Sequence, residues 1–350
     1  MKFIEILPEF EEGGVERHVL WLSNGLARRG HEVLVVSAGG KLEHALVVGT
    51  QSWHLPVHYK NPLTVLYSAA RIAAVARRNG YDLIHAHSRV PAWVALLASK
   101  MAGVPFVVTL HMGSGNRSPL VYKPYRLASR VICVSESARS AMGDLVGDRT
   151  VVIRNGLPDA RGKWRGKYPP WKLLFVGRLS PVKGIDVALR ALCRLKSYDW
   201  MLDVVGDGPL RKELESFVAE EGLEGRVFFH GFCPDVEPWM MGASLLLFPS
   251  LYEGLPLTLA QSIQIGLPAL ASDIPEVREM TVKPSSLVPA GDAKAWEETL
   301  RGIFSGDAEP PRLKAGYDLA LDKMVDKTLA LYEEVVFAVR AAGRGRSSSC

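Results

Sequence analysis

The chain has 350 residues, 48% of them apolar and 23% charged, which is too long for one ordinary hydrophobic core and long enough for two. Its formal charge of +5 is uneven: residues 1–159 hold 18 Lys and Arg against 12 acids, the remainder 24 against 25. Four scattered cysteines, Cys133, Cys193, Cys233 and Cys350, form no CxxC pair; they suggest neither a zinc site nor a disulfide framework and fit a reducing cytoplasm. Glu5 and Glu9 interrupt the first apolar run, so it reads as a strand rather than a signal peptide. Residues 90–116 are broken by Lys100, Pro105, His111 and glycines, which excludes a membrane-spanning helix.

After the strand at 2–7, a helix places Val15, Val19, Leu22 and Leu26 on one face and stops at Gly30. Strands come next at 32–37, 82–86, 106–110, 131–134 and 151–154, with helical patterns between them, which predicts a parallel sheet with crossover helices. A polar, proline-containing stretch at 155–170 separates this from a second series of strands at 172–176, 201–205, 227–229, 244–248 and 268–271. The last helix, 318–340, is amphipathic through Leu321, Val325, Leu329, Tyr332 and Val336. The expected division is a first domain at 1–156, a second at 157–317, the final helix, and a tail at 341–350 without structure.

Two such domains first suggest a dinucleotide oxidoreductase. No GxGxxG comes after the first strand, however, and SAGG ends the second where a ribose-binding acid would stand. Beyond the first strand, Gly13-Gly14-Val15-Glu16 opens a helix whose free NH groups and dipole suit an anion. In the second half VGRLSPVKG, VVGDGP and PSLYEGLPLTLAQ fall at the ends of successive strands, where open α/β sheets bind ligands. Arg178 can grip phosphate oxygens as a fork and Lys183 can add a point charge, together countering a diphosphate. No Asp-x-Asp pair is present to hold a divalent ion, so no metal and no cofactor are expected. Pro256 suits a helix start that leaves the NH groups of Leu257 and Thr258 free. Glu253, ahead of that helix, can accept from sugar hydroxyls, and Gln261, one turn on, can reach a ribose. Gly177, Gly206, Gly208, Gly254 and Phe232 complete the expected donor-binding set.

These segments resemble the C-terminal domain of glycosyltransferase family 4, retaining enzymes of the GT-B fold. GGVE, DLIHAHS, TLH and IRNGLP resemble the N-terminal half and hinge of the same family, in the family's order. The resemblance implies an α/β GT-B fold: two Rossmann-like domains with parallel sheets facing a central cleft, and a C-terminal helix packing back on the first. It implies that Arg178 and Lys183 contact the diphosphate of a nucleotide-sugar donor, Glu253 and His111 the donor sugar, and Gly13 and Gly14 the phosphates. UDP is the nucleotide expected from the family's common usage. The leaving phosphate itself would deprotonate the acceptor on the same face, without a protein nucleophile or a metal. Where the family has a second motif acid, this chain has Gln261, which can still hydrogen-bond a ribose hydroxyl.

Between Asp82 and Glu136 there is no acid, and Arg117, Lys123, Arg126 and Arg130 give a basic run interleaved with Tyr, Leu and Val. That run, with His85 and His87, is expected at an acceptor-binding or anionic membrane surface on the cytoplasmic face. The acceptor expected is a glycan or a lipid-linked one, in cell-envelope polysaccharide or lipopolysaccharide assembly. Nucleic acid is not an expected partner. Two alternatives stay open: a nucleotide-sugar epimerase on the same fold, and a catalytically silent sugar-nucleotide-binding subunit, which Gln261 suggests.

Overall fold

The computed structural model describes residues 1–11, 13–111, 120–166, 168–254, 256–282 and 286–347. The chain divides into two compact units: Met1–Pro158 together with the chain from Ala320 on, and Asp159–Leu319. The first is built on seven strands, β1 (Lys2–Ile6), β2 (Glu32–Ser37), β3 (Thr50–His54), β4 (Leu83–His87), β5 (Phe106–Leu110), β6 (Arg130–Cys133) and β7 (Thr150–Val152). They pair in parallel in the order 3-2-1-4-5-6-7. The second holds β8 (Trp171–Val176), β9 (Trp200–Val205), β10 (Val227–Gly231), β11 (Leu245–Phe248), β12 (Ala269–Asp273) and β13 (Val288–Pro289), in the order 10-9-8-11-12-13.

Central strands such as β4 and β5 are buried along their whole length, as the near-continuous apolar runs of parallel sheets require. β3 and β13 were not legible as strands: β3 reads Thr-Gln-Ser-Trp-His and is mostly exposed, and β13 is two residues long. In each sheet the strand order reverses once, between β1 and β4 and between β8 and β11. Open α/β sheets leave a crevice beyond the strand ends at such a reversal.

The C-terminal helix runs Leu321–Ser347, so helix continues through residues expected to lack structure. It lies on the first helix, Gly14–Arg28, with Val325 and Tyr332 fully buried and Arg29 paired to Asp322 and Asp326. Leu157 and Ala320 form a parallel bridge, so the two segments where the chain leaves and re-enters this unit run side by side.

Gly25 sets the closeness of the helix pair: a Cβ there would lie 2.5 Å from Val325 Cγ2. Gly→Ala inside a helix gains about 1 kcal/mol of propensity, but the stiff, branched valine cannot turn aside, and overpacking costs about 1–3 kcal/mol. Gly25→Ala should therefore lower the melting temperature, and the loss should be smaller when Val325→Ala accompanies it than the two single changes predict. Additive losses would show that the helices do not meet at this point.

Candidate functional site

At the β8/β11 reversal the glycines weld three loops together. Gly206, after β9, has φ +146, and a Cβ there would lie 1.9 Å from the carbonyl oxygen of Gly177, at the end of β8. Gly184 has φ +62 and comes as close to the carbonyl of Pro249, after β11, with 2.1 Å left for a Cβ. Neither position admits a side chain. The amides of Gly177, Gly206 and Gly208 bond to Val205 O, Gly231 O and Asp207 Oδ1. These three glycines therefore shape the loops and do not offer free NH groups.

On this frame Lys183 Nζ donates to Glu253 Oε1 at 2.6 Å and Ser250 Oγ donates to the same oxygen at 2.7 Å. Leu251 N bonds to Val182 O, closing the loop on the pair. Glu253 is 6% exposed, and its Oε2 makes no hydrogen bond among the described residues. Sequence reasoning gave Lys183 and Glu253 separate tasks; the structure joins them, and Ser250, their shared partner, was missed. Arg178 is exposed at the end of β8 and, among the described residues, has no acidic partner.

The helix Leu257–Ile265 starts one residue later than expected, with Pro256 as its N-cap and no side chain capping it. Its first-turn NH groups, Leu257 and Thr258 included, have no intrahelical partner, and Gln261 lies half-buried one turn further on. Phe232 is 40% exposed just after β10, and Gly254 is buried beside Glu253.

The reversal in the first unit carries a different chemistry. Glu5, on β1, stands in register with His85 on β4, and His87 lies two residues along the same face. Glu5 Oε2 lies 2.8 Å from His87 Nε2 and 3.0 Å from His85 Nδ1, and Oε1 accepts from the Tyr332 hydroxyl at 2.8 Å. His85 Nε2 meets Thr109 Oγ1 at 2.7 Å, and His87 Nδ1 meets His111 Nε2 at 3.0 Å. His18, 3% exposed, packs edge-on against His111 with ring centroids 4.8 Å apart, and both its nitrogens are unbonded among the described residues. Ring nitrogens of His18, His87 and His111 come within 4.8 Å of one another, as do ligand-type atoms of Glu5, His85 and His87. Hydrogen bonds account for the closeness of the second trio and of the His87–His111 pair.

Burial alone would raise the Glu5 carboxyl, but His85 and the hydrogen bonds from His85 and His87 outweigh it and hold the group well below the usual range. Burial, reinforced by the neighbouring histidines, lowers His87 to about 4 and His18 to about 3, and takes His111 well down. The Tyr332 hydroxyl is raised by burial and by Glu5.

The expectation that His85 and His87 lie at an acceptor or membrane surface is corrected: both are fully buried, because the carboxylate on the adjacent strand draws them inward. Lys123 and Arg126 are exposed, on the short helix Lys123–Leu127, but Arg130 is engaged by Glu334 at 2.5 Å; Arg117 falls outside the described residues. At the first helix the Glu16 carboxylate lies over Gly13, 2.2 Å from where a Cβ would sit, so an acid of the chain already attends that N-terminus and Gly14. Glu5 and Tyr332 were missed. An acid inside an otherwise apolar strand, Phe3-Ile4-Glu5-Ile6, with a second strand reading His-x-His, was the available signal.

The histidines set a pH dependence. Their folded values lie below the unfolded 6.5, so the unfolded chain takes up protons first. Stability is full above about 6.5 and falls as pH drops toward 4, by about 1.4 kcal/mol per pH unit for each such group, and Glu5 adds loss below its unfolded 4.5. Hydrogen exchange of β1 and β4 amides should accelerate from pH 7 to pH 5, after correction for intrinsic rates, more than exchange of β8 and β9. Equal responses in the two sheets would contradict buried neutral histidines.

Comparison with known proteins agrees with both halves. The model described as Glycosyltransferase Family 4 matches residues 12–161, and that described as Glycosyl transferases group 1 matches residues 170–305. A phosphatidyl-myo-inositol mannosyltransferase of Mycolicibacterium smegmatis is 29% identical over 332 residues, covering 87% of this chain and 83% of that protein. A 2-deoxystreptamine glucosyltransferase of Streptomyces kanamyceticus is 29% identical over 307 residues, covering 74% and 79%. Among solved structures, Anabaena HepE in complex with UDP and glucose superposes with a TM-score of 0.75 at 20% identity over the whole of both chains. Paired parallel sheets, ligand-ready strand ends and these two matches make the chain a member of the family 4 glycosyltransferases, with the GT-B fold.

Proposed function

We propose that the protein is a retaining glycosyltransferase that takes a sugar from a UDP-sugar and passes it to a glycan or lipid-linked acceptor without a metal ion. The observation that carries this reading is the β8/β11 crevice. A guanidinium exposed and, among the described residues, without an acidic partner, a lysine held on a buried carboxylate and an uncapped helix start are fixed there by glycine-welded loops. A diphosphate matches that set: Arg178 as a fork, Lys183 as a point charge, and the NH groups of Leu257 and Thr258. Glu253 Oε2 then accepts from a sugar hydroxyl, while Oε1 keeps Lys183 in place.

The cations do in this scheme what a divalent ion would do, stabilising charge on the departing nucleotide. UDP is favoured because the similar Anabaena protein was crystallised with UDP and glucose. By their names the M. smegmatis relative acts on phosphatidyl-myo-inositol and the S. kanamyceticus relative on 2-deoxystreptamine. The lipid reading is supported by exposed Leu120 and Leu127 beside Lys123 and Arg126, a pairing suited to anionic headgroups. No helix among the described residues is long and apolar enough to cross a membrane. Cys133, Cys193 and Cys233 are free, which fits a reducing cytoplasm.

One well-placed charge donor is worth about 3 kcal/mol, or 10²- to 10³-fold. Arg178→Ala and Lys183→Ala should each lower kcat with a UDP-sugar at least that much in metal-free buffer, and Arg178→Ala should abolish UDP binding by calorimetry. Near wild-type turnover in both variants would remove the assignment; UDP binding without turnover, acceptor present, would favour the silent subunit that Gln261 suggests. Lys123→Glu with Arg126→Glu should release the protein from sedimenting phosphatidylglycerol vesicles at low salt, and unchanged sedimentation would reject the lipid surface.

A further inference from the structure

We propose that Glu5 and His87 are positioning residues that fix His111 with its hydrogen on Nε2, leaving Nδ1 as a permanent acceptor for a hydroxyl of the sugar substrate. The proposal rests on the glycosyltransferase reading for the identity of that substrate, and on the geometry of the first unit for everything else.

The Glu5 carboxylate can only accept. His87 Nε2, 2.8 Å from Glu5 Oε2, must therefore carry a hydrogen. A neutral imidazole has its lone pair on the other nitrogen, so His87 Nδ1 accepts. It faces His111 Nε2 at 3.0 Å, and two lone pairs do not meet at that distance, so His111 Nε2 carries a hydrogen. The lone pair of His111 is left on Nδ1, which makes no hydrogen bond among the described residues. The opposite assignment would turn a lone pair of His87 onto the carboxylate and reverse two hydrogen bonds at once.

Glu5 itself is held on both oxygens, by Tyr332 on Oε1 and by His87 on Oε2, and His85 Nδ1 bonds to the Tyr332 hydroxyl, so the carboxylate cannot swing away. Burial and the neighbouring imidazoles disfavour a second proton on His87 and His111, which would turn Nδ1 into a donor whatever the tautomer. His18 covers the pair, its ring 5.4 Å from His87 and 4.8 Å from His111. The arrangement uses the logic by which a carboxylate orients a histidine through its far nitrogen, extended here by one more imidazole.

The fixed lone pair makes a chemical selection. A sugar hydroxyl donates to Nδ1; a fluorine or methoxy group in its place does not.

The test is histidine-selective ¹⁵N labelling of the full chain, with two-bond ¹H–¹⁵N spectra at pH 7.5 and assignment by H87Q and H111Q. The expected result is that both His87 and His111 are neutral with the hydrogen on Nε2. An imidazolium, or His111 with its hydrogen on Nδ1, as a metal ion on Nε2 would enforce, overturns the proposal. In kinetics with UDP-glucose, E5Q should lower kcat/KM at least tenfold while UDP affinity stays within twofold, and E5D should recover part of the loss. A parallel fall in UDP affinity would reduce Glu5 to a structural role and overturn the positioning claim. A wild-type chain that binds no UDP would defeat the glycosyltransferase reading instead, and the spectra, which need no turnover, would still decide the tautomer.

Discussion

The first unit depends on a buried anion. Glu5 sits on the central strand of a parallel sheet with no exposed surface, where an isolated carboxylate would be strongly disfavoured and would drive the strand out of the core. It is tolerated because two donors reach it from two other elements, His87 from β4 and Tyr332 from the C-terminal helix, with the His85 ring beside Oε2 and bonded to the Tyr332 hydroxyl. That requirement ties the start of the chain to its end. The helix from Leu321 must return to the first unit, since removing Tyr332 leaves a buried carboxylate oxygen without its donor. The Gly25–Val325 approach and the Arg29 pairs with Asp322 and Asp326 hold the same helix from the outside.

The second unit solves the same topology with the opposite chemistry. At its reversal the buried acid, Glu253, is met by a flexible lysine and a serine instead of rigid imidazoles, and one carboxylate oxygen is left open among the described residues. The positive charge is kept near the surface, with Arg178 exposed and Lys183 about a quarter exposed. Precision here comes from backbone contact, since loops that touch carbonyl to Cα at Gly206 and Gly184 cannot drift without breaking the strand ends they belong to.

The range of each signal decides how much of this is legible in the sequence. Apolar runs and glycine punctuation are local, so the two parallel sheets and the last helix were legible; β3 was not, because Thr50–His54 carries no apolar alternation. The segment around Arg178 and Lys183 and that around Glu253 were each legible as motifs. Their union was not, because the Lys183–Glu253 bond spans 70 residues and depends on which strands become neighbours. The histidine network is harder still. Glu5, His87, His111 and Tyr332 come from separate segments of the chain, and only the register that sets Glu5 beside His85 turns an ordinary strand acid into the centre of a buried cluster. Reading His85 and His87 as surface residues was the natural error for polar groups near a strand end, and the neighbouring carboxylate reverses it.

On the proposed reading the contrast between the units has a chemical purpose. A transferase acting on a sugar diphosphate must place positive charge where the leaving group develops negative charge, and charge elsewhere competes for the same phosphates. Four histidines beside one strand end would, at ordinary values, be partly cationic near neutral pH and form such a competitor. Burial removes that charge from His18, His87 and His111 and leaves a hydrogen-bonding surface that distinguishes hydroxyl from phosphate. The same burial makes Glu5 necessary, because a neutral imidazole has two tautomers of nearly equal energy and recognises a hydroxyl in one sense only when a third group chooses between them. Charge recognition and hydroxyl recognition are thus assigned to different units by one physical variable, the access of water to the ionisable groups.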